Sequence, residues 1–370
     1  MPTRSAPSPV LVWAALITIY IVWGSTYLGI AVAIETIPPF LMVAARFIAA
    51  GLVLVAAVAV LGGGVRRPTL RELRDSSIVG VLLVAGGNGF VTFGQQTIPS
   101  GIAALLVALM PVWMAVLGRF VFGDRLPRLV TAGVVIGFVG VAILAWPGDL
   151  SASLEPIGLA ALVVAPIAWA SGSLFAARRA RLPGPTLLTS GVQMIAGGVV
   201  VGAFGLASGE LGRLDLAAIS TESLVAFAFL TLIGSLLGYS AYAWLLSAAP
   251  VSLVSTYAYV NPVVAVILGA VVLNEAITGR HVVAGAIIVV AVAIVITGRH
   301  LLSSRAEAAG SAAASAPAAA AAGPAAAASA ASPSAPTAAA SAARVAEPAR
   351  RQPSRAFAGR LGPRPEPSPD

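Results

Sequence analysis

About ten stretches of roughly twenty residues with almost no charge recur along this chain, and they constrain its fold more than any other feature. A bilayer core about 30 Å thick is crossed by about 20 helical residues. The apolar runs cover residues 10–33, 40–61, 76–96, 101–122, 129–146, 156–177, 185–206, 222–246, 251–273 and 282–298. Inside hydrocarbon the backbone must satisfy its own hydrogen bonds, so only helices and closed barrels span. The runs are too long and too evenly apolar for the alternating strands of an outer-membrane barrel. They predict an all-α membrane protein. Composition agrees: of 370 residues, 10% are charged and the mean hydropathy is +0.95, whereas a soluble domain carries about 25% charged residues. The first run is read as a retained helix. It is longer than a signal-peptide core of about 7–15 residues.

The formal charge of +8 does not point to nucleic acid, because the basic residues are arginines that sit mostly in short loops between apolar runs and in the tail. With the N-terminus in the cytoplasm, the inward loops hold Arg66, Arg67, Arg71, Arg74, Arg125, Arg128, Arg178, Arg179 and Arg181. The outward loops hold only Arg213 and Arg280, against seven acids from Glu35 to Glu275. By the positive-inside rule this orientation is the expected one, with both termini cytoplasmic in a bacterial inner membrane. From residue 299 onward Ala, Pro, Ser and Gly dominate, and little remains to bury. That segment is expected to be a disordered cytoplasmic tail.

The chain repeats itself. Ala14 through Trp23, Ser25 and Leu28 align with Ala160 through Trp169, Ser171 and Leu174, and the same offset carries Pro39 onto Pro185. Met110-Pro111-Val112 with Leu117-Gly118 align with Asn261-Pro262-Val263 with Leu268-Gly269, and Asp124 falls on Glu275. The expected organisation is an N-terminal segment 1–9, a first five-helix half 10–147, a second half 156–298 and the tail 299–370. An odd helix count inverts the second half. Inverted repeats let two halves exchange roles, which is the architecture of secondary transporters.

Trp23-Gly24-Ser25-Thr26-Tyr27, Pro38-Pro39, Arg46-Phe47, Pro111 to Gly123-Asp124 and Pro262 to Asn274-Glu275 resemble the EamA-type transporters of the drug/metabolite transporter superfamily. The resemblance covers about residues 10–298. It implies ten helices, cytoplasmic termini, and export or exchange of metabolites, amino acids or toxic compounds. Asp124 stands where that pattern usually has Glu.

Polar groups inside apolar helices are the candidate site, since hydrocarbon offers them no water. Arg46 is the sole charge well inside a run. It reads as a receptor for a carboxylate or phosphate, or as an arginine that snorkels outward or pairs with Glu35. Trp23, Tyr27, Asn88, Trp113, Trp169, Gln193, Tyr239, Tyr242, Tyr257, Tyr259 and Asn261 are expected to line a central, partly wet cavity. Pro111 and Pro262 are candidate hinges, because each removes a backbone donor. Asp124 and Glu275, at helix ends, read as caps or interface charges. With no acid evident at mid-depth, a uniporter, an exchanger or weak coupling through an edge carboxylate is expected.

No cofactor, metal or enzymatic set is expected. There is no cysteine, and His281 and His300 are the only histidines. No phosphate-binding loop with lysine, zinc helix or triad is evident. Gly86-Gly87-Asn88-Gly89 lies within a span and reads as a close helix contact. The expected partners are a small-molecule solute and membrane lipids, with no nucleic acid; monomer and homodimer both stay open. Two other readings remain: a flippase for a lipid-linked substrate, and a scaffold or sensor that transports nothing.

Overall fold

The computed structural model describes residues 8–61, 66–145 and 155–321. Every regular element among them is helical. The helices of the first half are α1 (Pro9–Ala33), α2 (Pro39–Leu61), α3 (Leu70–Gly94), α4 (Ser100–Phe122) and α5 (Arg128–Ala145). Those of the second are α6 (Pro156–Arg178), α7 (Thr186–Ala207), α8 (starting at Thr221 and ending at Ala248), α9 (Tyr257–Val272, preceded by a turn Val251–Val254) and α10 (Gly279–Ala321). Eight of these are long and apolar enough to cross a bilayer, and α5 and α9 are shorter apolar helices. Among the described residues, then, the protein has ten apolar helices of a membrane protein, as the apolar runs predict.

Local chemistry explains the helix ends. Thr69 and Glu72 form a capping box at the start of α3: the Thr69 hydroxyl accepts from the Glu72 N–H, and the Glu72 carboxylate accepts from the Thr69 N–H at 2.8 Å. Helix α3 therefore begins six residues before the apolar run. Glu155 caps α6 by accepting from the N–H groups of Ile157 and Gly158 at 3.0 and 2.5 Å. Proline in the first turn of α1 and α6 costs no hydrogen bond there.

The repeat is visible in backbone detail. Both third helices carry a π-helical stretch midway, Val81–Gly89 in α3 and Leu230–Leu237 in α8. Such stretches are rare and often lie at functional sites. Asp124 and Glu275 each donate a backbone N–H to a glycine carbonyl six residues back, Gly118 and Gly269, both at 3.1 Å.

Packing crosses between halves. Helix α2 packs extensively on α7, the second helix of each half. Glycines permit it: a Cβ on Gly51 would stand 2.8 Å from the Gly191 carbonyl. Close backbone approach of this kind drives helix association where no water is displaced. Helix α1 packs on α9, and its repeat mate α6 packs on α4. Gly133, Gly137 and Gly140 of α5 meet Val295, Ala291 and Ile288 of α10. Leu16, Met42, Phe47, Leu106, Leu162 and Met194 are buried, whereas Trp13, Ile17, Leu52, Phe120, Val199 and Ile267 face outward. That outward apolar surface is what lipid requires.

Helix α10 is bounded by Gly279 and Ala321, and residues 322–370 of the expected tail lie outside the described residues. One expectation needs correction. The run 251–273 is not one helix, because turns at Ser255 and Thr256 interrupt it before Tyr257. Its mate α4 is interrupted at Ala108 and Leu109, just before Pro111. Pro262 lies inside α9.

Candidate functional site

Three helices, α1, α8 and α9, meet at an aromatic cluster of four rings. Trp23 of α1 lies 6.0 Å from Tyr239, 5.1 Å from Tyr242 and 5.1 Å from Tyr257, measured between ring centroids. Tyr242 and Tyr257 are edge to face at 5.8 Å. These separations are those of rings in contact. In this conformation Trp23 is in contact with all three tyrosine rings.

The motif around Trp23 places it there. Gly24 lets α1 close on α9: a Cβ would stand 2.6 Å from that of Val264. The Ser25 and Thr26 hydroxyls donate back to the carbonyls of Val22 and Trp23, which satisfies them within the helix. The Tyr27 carbonyl accepts from the Gln95 amide at 2.9 Å, tying α1 to the end of α3. Tyr27 packs against the main core. The Trp23 indole N–H donates to the Gly234 carbonyl at 3.3 Å, and a Cβ on Gly238 would collide with that nitrogen at 2.5 Å.

Arg46 reaches the same step of α8. It is 4% exposed, its Nε donates to Ser235 Oγ at 2.9 Å, and its guanidinium lies 4.7 Å from the centroid of the Phe47 ring. Arg46 thus neither snorkels nor pairs with Glu35. Among the described residues it makes no ion pair. Gly234 gives it room, since a Cβ there would stand 3.3 Å from Nη2. The π-helical stretch of α8 therefore presents Gly234 to Trp23 and Ser235 to Arg46.

The remaining candidates divide. Asn261 adjoins the cluster. With its amide nitrogen turned to the available acceptors, it donates to the carbonyls of Tyr20 and Tyr257 at 3.3 and 3.2 Å. Others lie elsewhere, and packing explains each. Trp113 sits edge to face with Phe138 of α5 at 5.2 Å. Trp169 covers Gly87, where a Cβ would stand 3.2 Å from its ring. Gln193 is buried where α7 meets Gly80 of α3. The Asn88 amide donates to Leu83 O at 3.2 Å within its own helix. Tyr259 packs on the main core.

Sequence reasoning missed Ser235, the Tyr20 and Thr256 hydroxyls that hydrogen-bond each other, and Gln95. Nothing in their neighbourhoods marks them. It also left Arg213 and Arg280 as exceptions on the acidic side. Arg280 donates to the Ile143 and Leu144 carbonyls at 2.6 and 3.4 Å, at the end of α5. Such capping is a favoured use of a cation at a helix C-terminus. Arg213 lies 3.7 Å from the Glu210 carboxylate.

The comparisons agree with this architecture. The model of the EamA-like transporter family matches residues 10–146 and 156–297, the two halves. The chain is 36% identical over 295 residues to the uncharacterized inner membrane transporter YedA of Escherichia coli K12, covering 79% of this chain and 93% of that one. It is 26% identical over 288 residues to a probable amino-acid metabolite efflux pump of Salmonella typhimurium, covering 74% and 90%. A solved crystal structure with a TM-score of 0.54 and 22% identity, covering 78% of this chain and 98% of that chain, has a similar fold. With ten apolar helices in two matched halves, the chain belongs to the EamA-like transporter family and is a multi-pass inner-membrane transporter.

Proposed function

We propose that this transporter moves a small amphipathic anion, one bearing a carboxylate or phosphate beside an apolar body, by alternating access. It does so as an exporter or exchanger and without enzymatic chemistry. The observation that carries this reading is Arg46: a buried guanidinium that contacts a hydroxyl and a ring, with no acid paired to it among the described residues. A charge away from water needs a partner, and a planar guanidinium suits a carboxylate or phosphate. The rings of Trp23, Tyr239, Tyr242 and Tyr257 stand ready to hold the apolar body once they part. The name of the Salmonella relative, an amino-acid metabolite efflux pump, fits a solute of this kind. The arginine-rich loops support cytoplasmic termini.

The test is transport of a panel of organic acids, phosphorylated metabolites and their neutral amides in everted vesicles. It compares wild type with Arg46→Ala, Trp23→Ala and, away from the cluster, Trp169→Ala at matched expression. Loss of anion transport in the first two variants, with Trp169→Ala retaining it, is the expected result. Transport of neutral analogues as fast as the acids would remove the role given to Arg46. No transport of any soluble compound by folded wild type would favour a lipid-linked substrate or a role without transport.

A further inference from the structure

Buried or half-buried carboxylates tie one half of the molecule to the other, and they divide by end. At the end bearing the arginine-rich loops, the acids belong to the first half. Asp75, 2% exposed, accepts from the Arg181 backbone N–H at 2.9 Å. Asp124 makes a two-pronged pair with Arg178 at 2.7 and 2.5 Å. At the opposite end the acids belong to the second half. Glu210, fully buried, accepts from the first N–H groups of α2, those of Phe40 and Leu41, at 3.2 and 2.9 Å. Glu275 accepts from the first N–H groups of α4, those of Ser100 and Gly101, at 2.6 and 3.0 Å.

The local sequence builds the Glu275 contact. A Cβ on Gly269 would stand 2.4 Å from the Glu275 carboxylate, and one on Gly101 would stand 3.4 Å from it. The acid is held between two glycines, one from each half. Its repeat mate has the same glycine beneath it: a Cβ on Gly118 would stand 2.6 Å from Asp124. Helix N-termini present unpaired N–H groups with partial positive charge, and ionised acceptors make the stronger hydrogen bonds to them. A cap within one half would stabilise that half alone. These contacts span the boundary that must open if the halves rock.

We infer that these carboxylates are the gate latches of the transport cycle: Glu210 and Glu275 hold one end shut, and Asp75 and Asp124 hold the other. Each set must release for its end to open. The inference rests on the alternating-access reading above, and it extends that reading to residues outside the aromatic cluster.

The chain has no cysteine, so one reporter thiol can be placed without background. Ser100 and Ser76 are buried, and among the described residues their hydroxyls have no hydrogen-bond partner. One lies beside Glu275 and the other beside Asp75. Ser100→Cys and Ser76→Cys are each combined with Glu275→Gln, Glu210→Gln or Asp75→Asn. The proteins are placed in nanodiscs, where both faces are accessible, and modification by an impermeant maleimide is timed. Glu275→Gln and Glu210→Gln are expected to raise labelling at Ser100→Cys about fivefold, the factor for about one cap's strength. Both should lower it at Ser76→Cys, and Asp75→Asn should do the reverse. Glu210 caps a different helix from the one bearing Ser100, so a rise with Glu210→Gln reports opening and not altered chemistry beside the thiol. A rise at Ser100→Cys with no change at Ser76→Cys supports the latch and overturns the reciprocal exchange of ends. No change at Ser100→Cys in either glutamate variant, or an equal rise at both reporters, overturns the latch.

Discussion

Arg46 of α2 donates from Nε to the hydroxyl of Ser235 in α8 at 2.9 Å, joining the two halves within the apolar interior. Ser235 lies in the π-helical stretch, one residue beyond Gly234, whose carbonyl accepts from Trp23. The hydroxyl orients the guanidinium and leaves its positive charge without an acid among the described residues.

This separates two variants. Arg46→Ala removes the charge itself and is expected to lower transport of the anionic solute about 30- to 100-fold, the scale of a hydrogen bond to a charged group. Ser235→Ala leaves the charge and removes its orienting partner. It is expected to cost about fivefold, the scale of one ordinary hydrogen bond. Concentration dependence of uptake in everted vesicles checks both. Arg46→Lys should rescue only in part, because an ammonium lacks the planar fork.

Backbone-on-backbone packing predicts where an added methyl is tolerated. A Cβ on Gly80 would stand 2.1 Å from the Gln193 carbonyl oxygen, and neither backbone can yield cheaply. Gly80→Ala is expected to destabilise the protein by about 1–3 kcal/mol or more, as overpacking does. At Gly279 a Cβ meets nothing within 4 Å, so Gly279→Ala should be neutral or slightly stabilising. Thermal unfolding in detergent, read by tryptophan fluorescence, distinguishes the two.

The contact of Gly269 with Glu275 predicts non-additivity. Gly269→Ala places a methyl where the carboxylate sits, 2.4 Å from Oε2. Its cost should shrink when Glu275 is also replaced by alanine. A double-mutant cycle on melting temperature is expected to show coupling of about 0.5–3 kcal/mol. Additive effects would mean that the methyl is accommodated by some other movement.

Glu155 makes the α6 cap sensitive to pH. The N–H groups of Gly158 and Ile157, and then the Thr97 hydroxyl, hold its carboxyl below the usual glutamate range. A carboxylate depressed on folding contributes stability that is present above its unfolded pKa and is lost as pH falls through the folded one. Glu155→Gln should therefore melt below wild type at neutral pH. The gap should narrow as pH drops below the ordinary glutamate value of about 4.3. A gap independent of pH would show that the cap works without its charge.

The ten spans, the two halves and the acidic or basic character of each loop were legible in the chain alone. Each depends on a local constraint: a bilayer tests every window of about twenty residues for its own solvation, and a duplicated segment keeps its prolines, glycines and end acids in order. Trp23, Arg46 and the acid at 275 could be singled out for the same reason. Their partners could not. Trp23 meets Tyr239, Tyr242 and Tyr257, and Arg46 meets Ser235, only through the rotation and depth of helices hundreds of residues apart in sequence. Trp113 and Trp169 looked equivalent to Trp23 as sequence, yet helix packing turned them onto Phe138 and Gly87. Glu275 and Asp124 read alike as helix-end charges. The tertiary structure alone set Glu275 on the first turn of α4 and Asp124 against Arg178. Solvation by lipid is a property of each segment, so sequence reports it; which polar groups satisfy one another is a property of how segments pack, and only the assembled helices decide it.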